Sequence, residues 1–350
     1  MTERDDWPTA EWQTAAPEAV GLKADLLAEL DGFARESMPP IRGLVVVRRG
    51  RIAFERYYGG CTQETYHSVN SVTKSVLSAL IGILLRTGQL ASLDQRLIDL
   101  LPELADVNSD PRTGTITVRH LLSMTGGFEP TAGAPWPWLA SPDLLQTAWA
   151  RPLIAPPGAS FAYDDLSVHL LSIVITRLTG QSASAFAGRE LFEPLGIWAS
   201  EEARFVWTRE RGCADVFHGR GSWPEDGYPW RVDQHGHSMG GFGLHLTVRE
   251  MAKLGYLYQN EGRWNGTEIV PAWFAAESIR EQSSGGPPVG FRYGYLWWIG
   301  RVNGYFANGF GGQLIHLIPE RDTIVAYTTT LPSRPSGSIF HRFVEPAIVE

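Results

Sequence analysis

Lysine is scarce in this chain of 350 residues: only Lys23, Lys74 and Lys253 occur among its 30 basic residues. The other basic residues are arginines, which stay protonated in proteins and cannot serve as bases. Each lysine is therefore a candidate for a specific role. Lys74 attracts attention because it stands three residues after a serine, in Ser71-Val72-Thr73-Lys74.

Several other features are missing, and their absence narrows the possible functions. No stretch approaches the roughly 18 apolar residues of a membrane span, and residues 1–8 lack the apolar segment of a signal peptide. We therefore expect a cytoplasmic protein with no membrane partner. The net charge of −8, the pI near 5.6 and the lack of a basic run argue against nucleic-acid binding.

The sequence also gives little indication of a metal site or a disulfide. Cys61 and Cys213 lie far apart, so we expect thiols rather than a bridge. His235, His237 and His245 have no carboxylate or cysteine at a recognisable ligand spacing. We expect neither a metal nor another cofactor.

The segment that contains Ser71 and Lys74 reads as the start of a helix. Apolar residues repeat every four positions over residues 72–84, Asn70 suits the N-cap, and Gly88 suits the end. Residues i and i+3 share a helix face, which places the hydroxyl beside the amine. The positive helix end and burial would both lower the pKa of Lys74, so we expect a neutral amine. Taken alone, the tetrapeptide also fits a capping serine and a surface lysine.

Four later segments occur in an order that gives this tetrapeptide a context: residues 116–127, 157–165, 239–255 and 307–322. Together with residues 71–75, they resemble the serine β-lactamase-like hydrolases. This family includes class C β-lactamases, penicillin-binding DD-peptidases, and related family VIII esterases and amide hydrolases. The pieces span about residues 17 to 345.

The resemblance implies a serine hydrolase that forms an acyl-enzyme. Ser71 would be the nucleophile, and either Lys74 or Tyr163 would be its base, a choice that stays open because coupled groups titrate together. The backbone amides of Ser71 and Phe310 would form the oxyanion hole. Water or an acceptor alcohol would then release the acyl group.

Two departures from the family pattern concern the substrate. The family's Tyr-x-Asn reads Tyr163-Asp164-Asp165 here, and its Lys-Thr-Gly reads Ala307-Asn308-Gly309. An added carboxylate and a missing cation both disfavour anionic substrates, which favours esters and neutral amides. Asp165 could contact substrate or cap the helix that follows it. Asn308 and Gly309 are candidate substrate-binding positions, although both also fit purely structural roles.

Tryptophans in predicted loops are candidates for the wall of a substrate pocket. Trp136, Trp138, Trp223 and Trp230 fit either pocket lining or packing between lobes. If they line the cleft, part of the substrate should be bulky and apolar.

A second candidate nucleophile is Ser238, because residues 236–240 read Gly-x-Ser-x-Gly. That motif needs a buried strand before the serine and a helix after it. The preceding residues 229–235 are too polar and broken for a central strand, and Gly241 and Gly243 would disrupt a first helical turn. We therefore interpret this segment as a loop beside the pocket.

The periodicities predict an α+β fold with strands at both ends of the chain. A helix near residues 22–33 precedes strands at 43–48 and 52–58; strands return at 294–299, 313–318 and 323–328, before a final helix from about Ser336. The resemblance implies an antiparallel sheet domain, residues 1–67 and 281–350, and a mainly helical lobe, residues 68–280.

Four functions stay open at this stage. The first is hydrolysis of an ester or amide through acyl-Ser71. The others are acyl transfer to an alcohol or amine, β-lactamase or DD-peptidase activity, and non-catalytic binding. The substrate would be a small molecule, and the sequence does not indicate the oligomeric state.

Overall fold

The two ends of the chain build one antiparallel sheet. A computed structural model describes residues 7–36, 41–131, 136–198, 229–300, 304–329 and 339–349. The sheet has eight strands in the order β2-β1-β12-β11-β10-β9-β8-β7. Its strands are β1 Ile41–Arg48, β2 Arg51–Tyr57, β7 Ser283–Gly286, β8 Phe291–Tyr293, β9 Trp298–Ile299, β10 Tyr305–Gly309, β11 Gln313–Ile318 and β12 Thr323–Thr329.

Two small two-stranded sheets accompany the large one. They pair β3 His67–Ser68 with β4 His245–Leu246, and β5 Arg263–Trp264 with β6 Thr267–Glu268. The first pair joins the segment before Ser71 to the segment after residues 239–243, which brings two distant parts of the chain together at the candidate site.

Helices cover both faces of the large sheet. The α-helices are α1 Ala24–Glu36, α2 Val72–Arg86, α3 Leu97–Leu100, α4 Val118–Leu122, α5 Leu144–Trp149, α6 Asp165–Thr179, α7 Ala183–Ala187, α8 Glu193–Leu195, α9 Val248–Gln259, α10 Ala272–Ser278 and α11 Glu345–Ala347. Short 3-10 helices lie at Pro17–Val20, Pro102–Leu104, Pro111–Thr115, Pro137–Ala140 and Pro319–Arg321, and π-helical turns at Gly188–Phe192 and Phe340–Val344.

Strand β1 shows why the sheet is buried on both sides. Its side chains alternate between faces, as the period of a strand requires. Val45 and Val47 join the larger core, which the sheet shares with most of the helices. Leu44 and Val46 join a smaller core beneath α1 and the C-terminal helical segment. A run of apolar residues therefore serves two cores at once.

Helix α2 runs through the larger core. Every residue from Val72 to Leu84 is buried, including Lys74. A helix that is apolar on all sides must have neighbours all round, and α2 packs against α6, α7, α10 and β10. The side chain of Lys74 is consequently held within the protein.

The main sequence expectations for the fold are confirmed, with two differences. The hairpin of β1 and β2, the helix α1 and the strands β11 and β12 form where they were predicted. Within residues 294–299 only Trp298–Ile299 is a strand. Strands β7 and β8 were not predicted, because they are short and rich in glycine and polar residues. Ser336 lies outside the described residues, and the described helical segment begins near Phe340.

The division into two lobes at residues 67/68 and 280/281 stays a prediction. Helix α9 falls inside the predicted helical lobe but packs directly on β1, β11 and β12. None of the described helices is both long and apolar enough to span a membrane. Cys213 lies outside the described residues, so the state of the two cysteines also stays a prediction.

Candidate active site

Ser71 stands immediately before the first turn of α2, in the N-cap position. The expectation that Asn70 caps this helix is wrong. Asn70 has a left-handed backbone, with φ of 49°, and its side-chain Nδ2 donates to the carbonyl of Phe310 at 2.7 Å. No side chain caps the helix; its first amides, those of Val72, Thr73 and Lys74, donate instead to the backbone carbonyls of Val69, Asn70 and Ser71.

Three oxygen atoms surround the Lys74 amine. The Nζ atom lies 2.9 Å from Ser71 Oγ, 2.6 Å from Asp165 Oδ1 and 2.7 Å from the carbonyl oxygen of Gly241. The lysine side chain is 1% exposed, and that of Asp165 is 9% exposed. The predicted serine–lysine contact is therefore present, and Lys74 also forms a buried ion pair.

The expected charge state of Lys74 is wrong. Burial alone would lower the pKa of Lys74, but the attraction of the Asp165 carboxylate, supported by Tyr163, raises it above the ordinary 10.5. The resting side chain is therefore an ammonium at neutral pH. Sequence reasoning missed this because Asp165 lies 91 residues away along the chain.

Tyr163 completes the cluster that the sequence predicted. Its ring lies nearly parallel to that of Trp298, with centroids 5.6 Å apart, and Lys74 Nζ lies 4.8 Å from the tyrosine ring centroid. Its hydroxyl interacts with the side chains of Ser71 and Lys74. Burial raises the pKa of Tyr163, and the Lys74 ammonium only partly offsets this, so the resting group is a neutral phenol.

Two backbone amides beside Ser71 are available to a ligand. Among the described residues, no acceptor reaches the N–H of Ser71 or the N–H of Phe310. Gly309, next to Phe310, packs directly on the segment before Ser71: a Cβ atom there would lie 2.3 Å from the Val69 carbonyl oxygen. Only glycine permits this approach. Two backbone N–H groups without an acceptor thus lie where the resemblance predicted an oxyanion hole.

Asp164 and Asp165 have different partners. Asp164 caps α6, accepting from the amides of Leu166 and Ser167, so the capping role considered for Asp165 belongs to its neighbour. The Asp164 carboxylate also receives Arg151 at 2.9 and 2.7 Å in a buried bidentate pair. Asp165 is directed instead at Lys74.

We expect Asp164→Ala to lower the free energy of unfolding by about 3–5 kcal/mol, because it leaves the guanidinium of Arg151 buried without its carboxylate. Loss of the helix cap adds about 1 kcal/mol. Urea denaturation at constant pH measures the change. Asp99→Ala is a suitable control, because it removes an exposed carboxylate paired with Arg96, and it should change the midpoint little. A loss below about 1 kcal/mol for Asp164→Ala would contradict the structural role assigned to Asp164.

Two residues that the sequence did not single out, His169 and Asp233, hold the backbone next to the Lys74 amine. His169 Nδ1 accepts from the amide of Gly240 at 3.2 Å, so its proton is on Nε2, which donates to Asp233 Oδ2 at 3.0 Å. Burial would raise the pKa of Asp233, but hydrogen bonds from His169 and His237 lower it below the ordinary 3.8. This chain of contacts anchors the amide of Gly240, one residue before Gly241, whose carbonyl accepts from Lys74. The available signal was that His169 lies one helical turn after Asp165.

The predicted pocket tryptophans differ in their surroundings: Trp136 and the exposed Phe310 form an aromatic rim, whereas Trp138 packs in the interior. Trp136 meets Phe310 edge to face, with ring centroids 5.9 Å apart, and Phe310 is 51% exposed. Trp138 is nearly buried and packs near Phe242, at 5.9 Å between centroids. Asn308 is half-buried and pairs with Leu314 in the sheet.

The other two loop tryptophans do not add to the rim. Trp230 is fully buried, and its Nε1 donates to the carbonyl of Met239 at 2.9 Å. Trp223 lies outside the described residues. Among the predicted loop tryptophans that the structure describes, only Trp136 places its ring against the exposed Phe310.

Ser238 does not have the environment of a nucleophile. It is fully buried, and its Oγ accepts from the backbone amide of Ser184 at 2.9 Å. The segment before it forms isolated bridges rather than a strand, and no helix follows it. The Gly-x-Ser-x-Gly match is therefore structural.

Curated proteins of known name are similar to this chain in sequence. Esterase EstB from Burkholderia gladioli is 28% identical over 224 residues, which cover 57% of this chain and 56% of EstB. The chain thus spans little more than half the length of that relative. Penicillin-binding protein 4 from Amycolatopsis lactamdurans is 26% identical over 294 residues, covering 77% of this chain and 73% of that protein.

Solved structures agree on the fold. The structure of EstCE1, described as a hydrolase with promiscuous acyltransferase activity, matches with a TM-score of 0.70 over 93% of this chain and 98% of that one. At 18% identity this likeness shows the fold alone. The family model described as Beta-lactamase matches residues 34–343, nearly the whole chain. The chain therefore belongs to the β-lactamase family.

Proposed function

We propose that this protein is a serine hydrolase that cleaves neutral carboxylic esters or amides through an acyl-Ser71 intermediate. The observation that carries the proposal is the contact of 2.9 Å between Ser71 Oγ and Lys74 Nζ, beside two backbone amides that have no acceptor among the described residues. A nucleophile, a candidate base and paired oxyanion donors are the minimum set for acyl transfer to serine.

Acylation follows from this arrangement. Once Lys74 has lost one proton, its lone pair faces Ser71 Oγ and takes the hydroxyl proton as Oγ attacks the substrate carbonyl carbon. The carbonyl electrons move onto oxygen, where the amides of Ser71 and Phe310 stabilise the negative charge. The proton then passes from Lys74, directly or through the Tyr163 hydroxyl, to the departing alkoxide or amine. Water repeats the sequence to release the acid.

The charges around the site favour a neutral substrate. Lys74 is paired with Asp165 and Arg151 with Asp164, so both cations in contact with the site residues are already balanced. Ala307 stands where the resemblance places a lysine. The rim of Trp136 and Phe310 offers aromatic surface to an apolar acyl or alcohol group.

A substrate panel tests this function. We expect nitrophenyl esters of medium chain length to be hydrolysed faster than the acetate, because the longer chain reaches the aromatic rim. A chromogenic cephalosporin should react poorly, because its carboxylate finds no unpaired cation among these residues. Quenched reactions analysed by mass spectrometry should carry the acyl mass on the peptide that contains Ser71. An adduct on another residue, or faster turnover of the cephalosporin than of every ester, contradicts the proposal.

Acyl transfer is the second candidate, because it uses the same intermediate and EstCE1 is described as having promiscuous acyltransferase activity. Adding a short alcohol to the ester assay distinguishes the two. A transferase converts most of the acyl group to the new ester at low acceptor concentration, whereas a hydrolase releases mainly the acid. A protein that forms no adduct and turns over no ester, amide or lactam would be a binding protein of this fold.

A further inference from the structure

The contacts of Lys74 define where its protons lie. Asp165 Oδ1 and the Gly241 carbonyl oxygen can only accept hydrogen bonds, so each takes one N–H of Lys74. The third direction points to Ser71 Oγ, which can either accept or donate. An ammonium donates there, whereas a neutral amine turns its lone pair to the same oxygen. The geometry therefore aims the base correctly in both states, and a single proton separates the resting form from the active one.

We propose that Asp165 is a positioning residue that keeps Lys74 as an ammonium in the resting protein and thereby makes acylation of Ser71 depend on the loss of that proton at alkaline pH. The inference rests on the proposed function and adds to it the pH dependence of the nucleophile's activity. The two side chains are buried together at 2.6 Å, where a charge pair is weakly screened.

The other groups that face Lys74 do not replace this effect. Tyr163 is a neutral phenol, and Tyr293, which packs against it edge to face, has a pKa well above 10 because it is buried. His169, one turn further along α6, is occupied by Asp233 and by an amide. Asp165 is thus the carboxylate in direct contact with the amine.

The variant Asp165→Asn removes the negative charge of residue 165 without displacing Lys74, so it separates the effect of the charge from the effect of position. The amide oxygen of asparagine can still accept from Lys74, so the lysine stays in place, but the negative charge is gone. Only burial, which lowers the pKa of Lys74, then remains as the main cause of a shift. The sign follows directly: the neutral fraction of Lys74 at a given pH rises when Asp165 is removed.

The first test is the pH profile of acylation, followed as the nitrophenol burst and corrected with the Ser71→Ala blank. In the wild type the rate should rise about tenfold per pH unit from pH 6 to 10 without a plateau. In Asp165→Asn the rise should end in a plateau, because the loss of one adjacent negative charge lowers the pKa of Lys74 by about 1–3 units. Asp99→Asn, an exposed carboxylate far along the chain, should leave the profile unchanged.

The second test does not depend on activity. Lysine labelled with ¹³C at Cε should give three NMR signals, because the chain has three lysines. Lys253 is an internal reference for burial without this ion pair, with a pKa lowered to about 8. The Lys74 signal should titrate above 10.5 in the wild type and lower in Asp165→Asn.

The possible results distinguish a failure of this inference from a failure of the proposed function. A wild-type Lys74 that titrates below about 9, or an Asp165→Asn variant with the same titration as the wild type, overturns the inference whatever the enzyme does. If Asp165→Asn loses activity at every pH with no shift of the profile, Asp165 acts in another way and the inference also fails. If instead Ser71→Ala keeps full turnover, the proposed function fails while the NMR titration still reports on Lys74. Circular dichroism confirms that each variant is folded, and the wild-type titration alone remains decisive if Asp165→Asn is not.

Discussion

Ser71→Ala is expected to reduce kcat/KM for nitrophenyl esters by about 10⁴- to 10⁶-fold, the range seen when a serine enzyme loses its nucleophile. The reason is that, among the described residues, Ser71 is the only serine or threonine whose hydroxyl contacts Lys74, and it lies beside the unpaired amides of Ser71 and Phe310. The variant should also lose the acyl adduct completely. It should remain folded, because the Ser71 hydroxyl does not cap the helix.

Ser238→Ala is the matched control for this prediction. It removes a hydroxyl that accepts from the buried Ser184 amide, so it should destabilise the protein by about 1–3 kcal/mol without changing kcat of the folded fraction more than a few-fold. Turnover measured well below the unfolding temperature, with active sites counted by the burst, compares the two variants. Full turnover by Ser71→Ala, or loss of catalysis in Ser238→Ala alone, would show that the wrong serine has been assigned.

The sequence predicted the features that depend on short spacings, on apolar patterns or on the order of motifs along the chain. The contact between Ser71 and Lys74 follows from a separation of three residues at a helix start, and the apolar run from Leu44 to Val47 predicted a strand, which the structure shows to lie between two cores. The position of Tyr163 followed from the order of motifs in the family. These features need no knowledge of which distant segments meet.

The charge of the site could not be predicted in the same way. Whether Lys74 is neutral depends on Asp165, and whether Phe310 is held beside Ser71 depends on Asn70, contacts that span 91 and 240 residues of sequence. The two adjacent aspartates add a second difficulty. A shift of one residue in the start of α6 would exchange their roles, and helix starts are not fixed that closely by sequence.

Lys74→Met is expected to lower kcat/KM by about 10²- to 10⁴-fold, the usual contribution of a general base. It should also lower the free energy of unfolding by about 3–5 kcal/mol, because it leaves the Asp165 carboxylate buried without a partner. A loss of activity in this variant alone therefore does not distinguish a base from a structural counter-ion. Urea denaturation and burst kinetics on the same preparation give both quantities.

The double variant Lys74→Met/Asp165→Asn separates these two roles. Removing both charges should restore most of the stability, since no ion is then buried alone, and the two changes should be strongly non-additive in unfolding free energy. Activity should stay as low as in Lys74→Met, because the amine that accepts the Ser71 proton is still missing. Recovery of activity together with stability would instead identify Tyr163 as the base, with Lys74 needed only to neutralise Asp165. The comparison therefore decides between the two candidate bases that contact Ser71.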